Sequence, residues 1–183
     1  MLVSIPYGRG HLSLDVPDSR LRAVLTSRLH ELKAEAPESE IVRKSLGNPI
    51  GSPRLRELAR GKEKVVIISS DHTRPVPSRI IMPLLLEEVR AGNPDADITI
   101  LVATGGHRAT TDEELLERYG QEIVKNERIV VHDSHDDSAL IHVGTLPSGG
   151  DFILNRLVVE ADLVAAEGFI EPHFFAGYSG SRK

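Results

Sequence analysis

Three short runs of this 183-residue chain are apolar almost without interruption: Lys64-Val65-Val66-Ile67-Ile68-Ser69, Asp97-Ile98-Thr99-Ile100-Leu101-Val102-Ala103 and Asp162-Leu163-Val164-Ala165-Ala166. A strand with one wet face alternates apolar and polar residues. A strand that lacks this alternation is covered on both faces, which is the situation of a parallel sheet between helices. Between the first two runs, Ile80, Ile81, Leu84, Leu85 and Val89 form a helical stripe over residues 78 to 91, and Gly92-Asn93-Pro94 ends it. Residues 64 to 103 therefore read as one strand-helix-strand unit with parallel pairing.

The same reasoning extends along the chain. Thr110-Thr111-Asp112-Glu113-Glu114 is a capped, acid-rich helix start leading into Leu115, Leu116 and Tyr119. Residues 128 to 132 and, more weakly, 140 to 144 are short strand candidates. In the front third, residues 3 to 6 and 11 to 16 alternate around Tyr7-Gly8-Arg9-Gly10, a hairpin pattern. Leu21, Val24, Leu25, Leu29 and Leu32 recur at helical spacing over 19 to 35, and short helices are expected over 38 to 46 and 54 to 60. No repeat, low-complexity tract or internal boundary is evident, and the length suits one domain. The expected architecture is a three-layer α/β/α, Rossmann-like domain around a mainly parallel sheet.

Composition narrows the function classes. With no Cys, the chain has no disulfide, thiolate metal site or cysteine nucleophile, which suits a reducing, cytoplasmic setting. A net charge of -5 and 4% aromatics argue against a nucleic-acid surface. No stretch approaches the roughly 18 apolar residues of a membrane span, and the first ten residues lack the pattern of a secretion signal.

The chemistry collects behind the strands. Each of the three runs is followed at once by polar, structure-breaking residues: Asp71-His72-Thr73-Arg74-Pro75, Thr104-Gly105-Gly106-His107-Arg108, and Glu167-Gly168 leading to Glu171-Pro172-His173. Ligands of open parallel sheets bind beyond the carboxyl ends of the strands, so all three motifs should share one edge. Asp71 fits either a turn cap or a functional carboxylate. Arg74 fits either a clamp on a carboxylate or phosphate or a local ion pair with Asp71. Gly105-Gly106 allows close backbone approach to an anion, though paired glycines also serve tight turns. His107 and His173 suit a pair of general acid/base groups and could equally be surface histidines. His72 flanks the motif and can point away from Asp71, while His11, His30 and His142 lie inside periodic segments. The run His132-Asp133-Ser134-His135-Asp136-Asp137 mimics a metal site, but its contiguous turn chemistry favours a solvated loop.

Residues 171 to 183 are the densest chemical text, a histidine followed by a glycine-rich stretch and the pair Arg182-Lys183. A domain rarely finishes inside its richest motif, so the chain is expected to be a fragment of a longer one.

Asn48-Pro49-Ile50-Gly51-Ser52-Pro53, Asp71 to Pro75, Ala103 to Arg108 and Glu171 to Lys183 together resemble the amino-terminal domain of the nickel-dependent lactate racemase family, over nearly the whole chain. The resemblance implies a two-domain α/β enzyme with its active site between the domains, the second being absent from this chain. It also implies a nickel-pincer nucleotide held through a thioamide on Lys183 and supplied by cofactor-biosynthesis proteins. His107 and His173 match the family's acid/base pair. Asp71 and Arg74 match the residues that orient a catalytic histidine and engage substrate. The implied reaction is racemisation or epimerisation of a 2-hydroxy acid by hydride transfer through a transient 2-keto acid. The two histidines would serve the hydroxyl groups of the two enantiomers.

The resemblance also sets limits. The family has two glycines before its Arg-Lys, where this chain has Gly180-Ser181. The family's histidine nickel ligand and a further substrate-binding lysine lie beyond Lys183, so these residues alone are expected to be inactive. Two other readings compete: a non-catalytic module that binds an anion or nucleotide, and a metal-dependent hydrolase built on residues 132 to 137.

Overall fold

A computed structural model describes residues 1–28, 31–173 and 177–180. Contacts divide the chain into two units, Met1–Glu35 and Ala36–Lys183.

In the first unit, β1 (Leu2–Tyr7) and β2 (Gly10–Asp15) form the expected antiparallel hairpin. Its register stacks Val3 on Leu14 and Ile5 on Leu12, so the apolar residues share one face. Gly8 takes φ 58 at the turn, a left-handed conformation that suits a residue without Cβ. The helix expected over 19 to 35 does not form in its described part. A single 3-10 turn, Asp18–Arg20, is followed by irregular backbone through residue 28. The physical reason is the lack of a surface to bury the stripe: Leu25 is 94% exposed and Leu32 76%. Helices take most of their stability from packing an apolar face rather than from propensity.

The second unit is built on a four-stranded sheet of β3 (Lys64–Ser70), β4 (Asp97–Ala103), β5 (Arg128–Val131) and β8 (Leu163–Ala166), in the order β5-β4-β3-β8. All three pairings are parallel, as the apolar runs predict. The flanking helices are α1 (Glu38–Gly47), α2 (Leu55–Leu58), α3 (Ser78–Gly92), α4 (Asp112–Tyr119), α5 (Gln121–Asn126) and α6 (Arg156–Val159). A small antiparallel pair, β6 (Leu140–Thr145) with β7 (Asp151–Asn155), precedes α6. The fold class is therefore the expected one, an α/β domain on a parallel sheet flanked by helices.

The core follows from strand periodicity. Val65 and Ile67 of β3 and Ile98, Ile100 and Val102 of β4 point to one face. There they meet Met82, Leu85, Leu86 and Val89 of α3, Leu115 and Tyr119 of α4, and Ile123 of α5. Ile67, Met82, Ile100 and Val89 are fully buried. At about 1.5–3 kcal/mol for each large apolar side chain removed from water, this layer dominates the stability of the sheet.

Candidate functional site

Three peptides leave the sheet at its carboxyl edge, and their side chains line one cleft of about 360 Å³. Asp71 and Arg74 come from the turn after β3, Gly105, Gly106 and His107 from the turn after β4, and His173 from the segment after β8. The expected convergence of the three motifs is what the structure displays.

Asp71 is 2% exposed and uses both carboxylate oxygens. Oδ1 accepts hydrogen bonds from Thr73 N at 3.0 Å and Thr73 Oγ1 at 2.6 Å, closing the turn after β3. Oδ2 takes His107 Nδ1 at 2.5 Å. Burial pushes the Asp71 carboxyl upward, but the hydrogen bonds from Thr73 and then His107 outweigh it and hold it below the usual aspartate range. An ionised Asp71 is an acceptor only, so His107 Nδ1 carries the proton. In the neutral ring, Nε2 is then the acceptor that remains.

The His107 turn is itself pinned. His107 N donates to Thr104 O at 3.0 Å, and the buried Thr104 donates its hydroxyl to His132 O. Gly105 sits at φ 57, and a Cβ added at Gly105 or Gly106 would meet nothing within 4 Å, so the backbone lies open to the cleft.

Arg74 also faces this space. The ion pair with Asp71 is absent among the described residues, and the Arg74 guanidinium makes no other hydrogen bond or ion pair there. A planar, permanently charged fork exposed in a cleft is suited to a carboxylate or phosphate. After β8, two short strands, β9 (Pro172–His173) and β10 (Gly177–Tyr178), pair antiparallel. Ser179 and Glu171 bond one another through Ser179 N to Glu171 O at 2.9 Å and Glu171 N to Ser179 Oγ at 3.1 Å. This ladder brings His173, Ser179 and Gly180 to the cleft wall. Lys183 lies outside the described residues.

Neither His72 nor the histidine-rich loop lines this cleft. His72 turns to the opposite side of its loop, with Nδ1 3.2 Å from Thr110 Oγ1. In the histidine-rich loop, His132 Nδ1 is engaged by Asn155 Nδ2 at 3.0 Å, while Asp133 and Asp136 accept from the backbone N–H of His135 and Ser138. Among the described residues no group of three or more His, Cys, Asp or Glu side chains is placed to hold a metal ion.

Sequence reasoning missed a polar layer at the base of the cleft, where Ser69 and Glu167 line it. Glu167 is 5% exposed, and its Oε1 accepts from Ser69 Oγ and Ser78 Oγ, each at 2.5 Å. Tyr119 OH donates to Ser69 Oγ at 2.8 Å, and Arg118 Nη1 donates to Ser78 Oγ at 3.0 Å. Burial pushes the Glu167 carboxyl up, against the hydrogen bonds from Ser69 and Ser78. The available signal was a serine at the end of an apolar strand run and an acid directly after another.

The fold and cleft define an α/β domain that presents a carboxylate-anchored imidazole, a second imidazole and an open guanidinium at the carboxyl edge of a parallel sheet. Comparison with known proteins agrees with the motif resemblance. The chain belongs to the lactate racemase N-terminal domain family, whose profile matches residues 7–183. It is 54% identical over 181 residues to the lactate racemases of Thermoanaerobacterium thermosaccharolyticum and Lactiplantibacillus plantarum. The match covers 99% of this chain but 42% and 43% of those proteins, so the chain spans less than half of their length. The lactate racemase apoprotein structure from T. thermosaccharolyticum superposes with a TM-score of 0.88 at 52% identity, covering all of this chain and 42% of that one. A Thermotoga maritima protein of known structure, 24% identical with a TM-score of 0.62, shares the fold over 78% of this chain.

Proposed function

We propose that this chain forms the amino-terminal half of the active site of a 2-hydroxy acid racemase or epimerase. The observation that carries the proposal is the Asp71–His107 hydrogen bond on the cleft that His173 also lines. A buried carboxylate behind an imidazole suits a general base, because it fixes the tautomer and supports the imidazolium formed on proton uptake.

In this reading Arg74 binds the substrate carboxylate. His107 Nε2 takes or returns the proton of the substrate hydroxyl in one enantiomer, and His173 serves the other. The nickel-pincer nucleotide implied by the family would be tethered to Lys183 and would supply the hydride acceptor and donor. The residues present fit an anionic group of that kind: the backbone at Gly105 and Gly106 lines the cleft and is open. The remaining walls would come from chain beyond these residues, which by themselves are expected to show no turnover.

The test uses the full-length protein produced beside cofactor-building proteins. Peptide mass spectrometry should find a nucleotide adduct on Lys183, and His107→Ala and His173→Ala should each abolish turnover of 2-hydroxy acids. An unmodified lysine in a competent host, with histidine variants that change only anion affinity, would favour a binding module instead. That alternative draws on Arg74 and the open glycines but leaves the Asp71–His107 pair without a task.

A further inference from the structure

The turn that carries Asp71 and Arg74 is closed by Arg74 N donating to Asp71 O at 3.2 Å and Val76 N to Arg74 O at 2.9 Å, and one side chain from another element takes the same two carbonyls. Arg118, in the last turn of α4, donates through Nη2 to Asp71 O and to Arg74 O, the latter at 2.8 Å. Its Nη1 donates to Ser78 Oγ at 3.0 Å, and Ser78 passes its own proton to Glu167 Oε1 at 2.5 Å. Ser69 shares the same carboxylate oxygen and in turn accepts from Tyr119 OH. Ser69, Ser78, Tyr119 and Glu167 are all at least 95% buried, at 0%, 1%, 2% and 5% exposure. Five residues from the ends of β3, α3, α4 and β8 thus form one connected polar layer, of which Ser69 and Glu167 also line the cleft. Glu167 Oε2 is buried within it without a hydrogen-bond partner among the described residues.

Buried polar groups are costly unless satisfied, and a connected network specifies one arrangement of the groups it joins. This layer meets the cleft loops at the two carbonyls gripped by Arg118, one on the residue that anchors His107 and one on the residue with the open guanidinium. We propose that Arg118, held by Glu167 through Ser78, is a positioning residue that sets the Asp71–Arg74 turn and thereby aims both the His107 imidazole and the Arg74 guanidinium. The inference rests on the reading of the cleft as an active site. It assigns Arg118 and Glu167 no contact with substrate. Lysine is a poor substitute, because a single ammonium lacks the planar fork that reaches the hydroxyl and both carbonyls together.

The test compares Arg118→Gln, Arg118→Lys and Ser78→Ala with wild type in the full-length protein. The first readout is kcat and KM for a 2-hydroxy acid in the cofactor-loaded enzyme. The second is the downfield proton resonance of the His107–Asp71 hydrogen bond in the same chain without cofactor, assigned by its loss in Asp71→Asn. Arg118→Gln should lower kcat/KM by about 10–100-fold, the range seen when an outer partner of a functional group is removed. The loss should be shared between a lower kcat and a higher KM, since both His107 and Arg74 are misaimed. The downfield proton should shift or broaden, and Arg118→Lys should recover part of each effect. Ser78→Ala, which removes one hydroxyl, carries the same test if Arg118→Gln folds poorly. Wild-type kcat/KM and an unmoved proton in these variants would overturn the inference. So would a loss of activity that tracks only the folded fraction. Absence of turnover in the wild type would count against the proposed function, while the proton resonance would still decide whether Arg118 positions the Asp71–His107 pair.

Discussion

Asp71 shows how one buried residue can serve structure and chemistry together. Oδ1 closes its own turn through Thr73, and Oδ2 takes His107 Nδ1. Asp71→Asn separates the two roles. The amide oxygen can still accept from Thr73, so folding should change little, whereas the amide NH2 would donate to His107 and drive the ring proton onto Nε2. In the full-length enzyme we expect kcat to fall by about 10²–10⁴-fold, the range that a positioned acid/base group contributes, with a smaller change in KM. Steady-state kinetics beside a thermal melt would separate this from unfolding. Asp71, Arg74, Gly105, Gly106, His107 and His173 are legible in the sequence because each follows an apolar strand by a few residues. The choice between Arg74 and His107 as the partner of Asp71 is not legible. It depends on how far apart two loops stand after β3 and β4 are paired.

At the scale of elements, two features decide how well the scaffold presents the site. Thr111 caps α4 as a capping box: its hydroxyl accepts from Glu114 N at 3.3 Å, and Glu114 Oε2 accepts from Thr111 N at 2.9 Å. Because α4 carries Arg118 and Tyr119, Thr111→Ala should reduce stability by about 1 kcal/mol, the usual worth of an N-cap, measured by urea unfolding. Gly92, the last residue of α3, is a stricter constraint. A Cβ there would overlap the carbonyl of Arg56 and touch Ala59 Cβ at 3.0 Å. Helix propensity alone would favour Ala at this position. The contact between α2 and α3 reverses that preference, and Gly92→Ala should destabilise by roughly 1–3 kcal/mol, as overpacking does. A melting midpoint at or above wild type would contradict this close approach. The capping box was readable from Thr111 and Glu114, whereas the Gly92 contact was not, because Arg56 lies 36 positions earlier.

Over the whole molecule, carboxylates held by hydrogen bonds, some between segments distant in sequence, contribute to the acid limit of stability. Asp162 accepts from Lys64 N at 2.9 Å and Glu63 N at 3.1 Å, tying the entry of β8 to that of β3, and these backbone bonds hold its carboxyl below the usual range. The Arg108 side chain and then the Thr111 N–H lower Glu114 to about 2. Asp71 is lowered as described. Each folded-state value lies below its unfolded one. The stabilisation is therefore complete above the ordinary carboxylate range, 3.8 for Asp and 4.5 for Glu, and is lost as pH falls through the depressed values toward about 2. Urea midpoints should decline as pH falls through this window, and Asp162→Asn should flatten part of the decline. A midpoint independent of pH across this window would show that these carboxylates contribute nothing.

Taken alone, the sequence determined the four strands of the main sheet, its parallel character and the edge on which the functional motifs gather, because these follow from apolar periodicity and from residues adjacent in the chain. The tertiary structure alone decided the β5-β4-β3-β8 order, the irregular path after Arg20 and the Asp71–His107 pairing. It also decided the burial of Glu167 at the base of the cleft and the hold of Arg118 on the turn it supports. Those outcomes depend on contacts between groups tens of residues apart, or on an apolar face finding or lacking a partner, and neither is encoded in any local window of the chain.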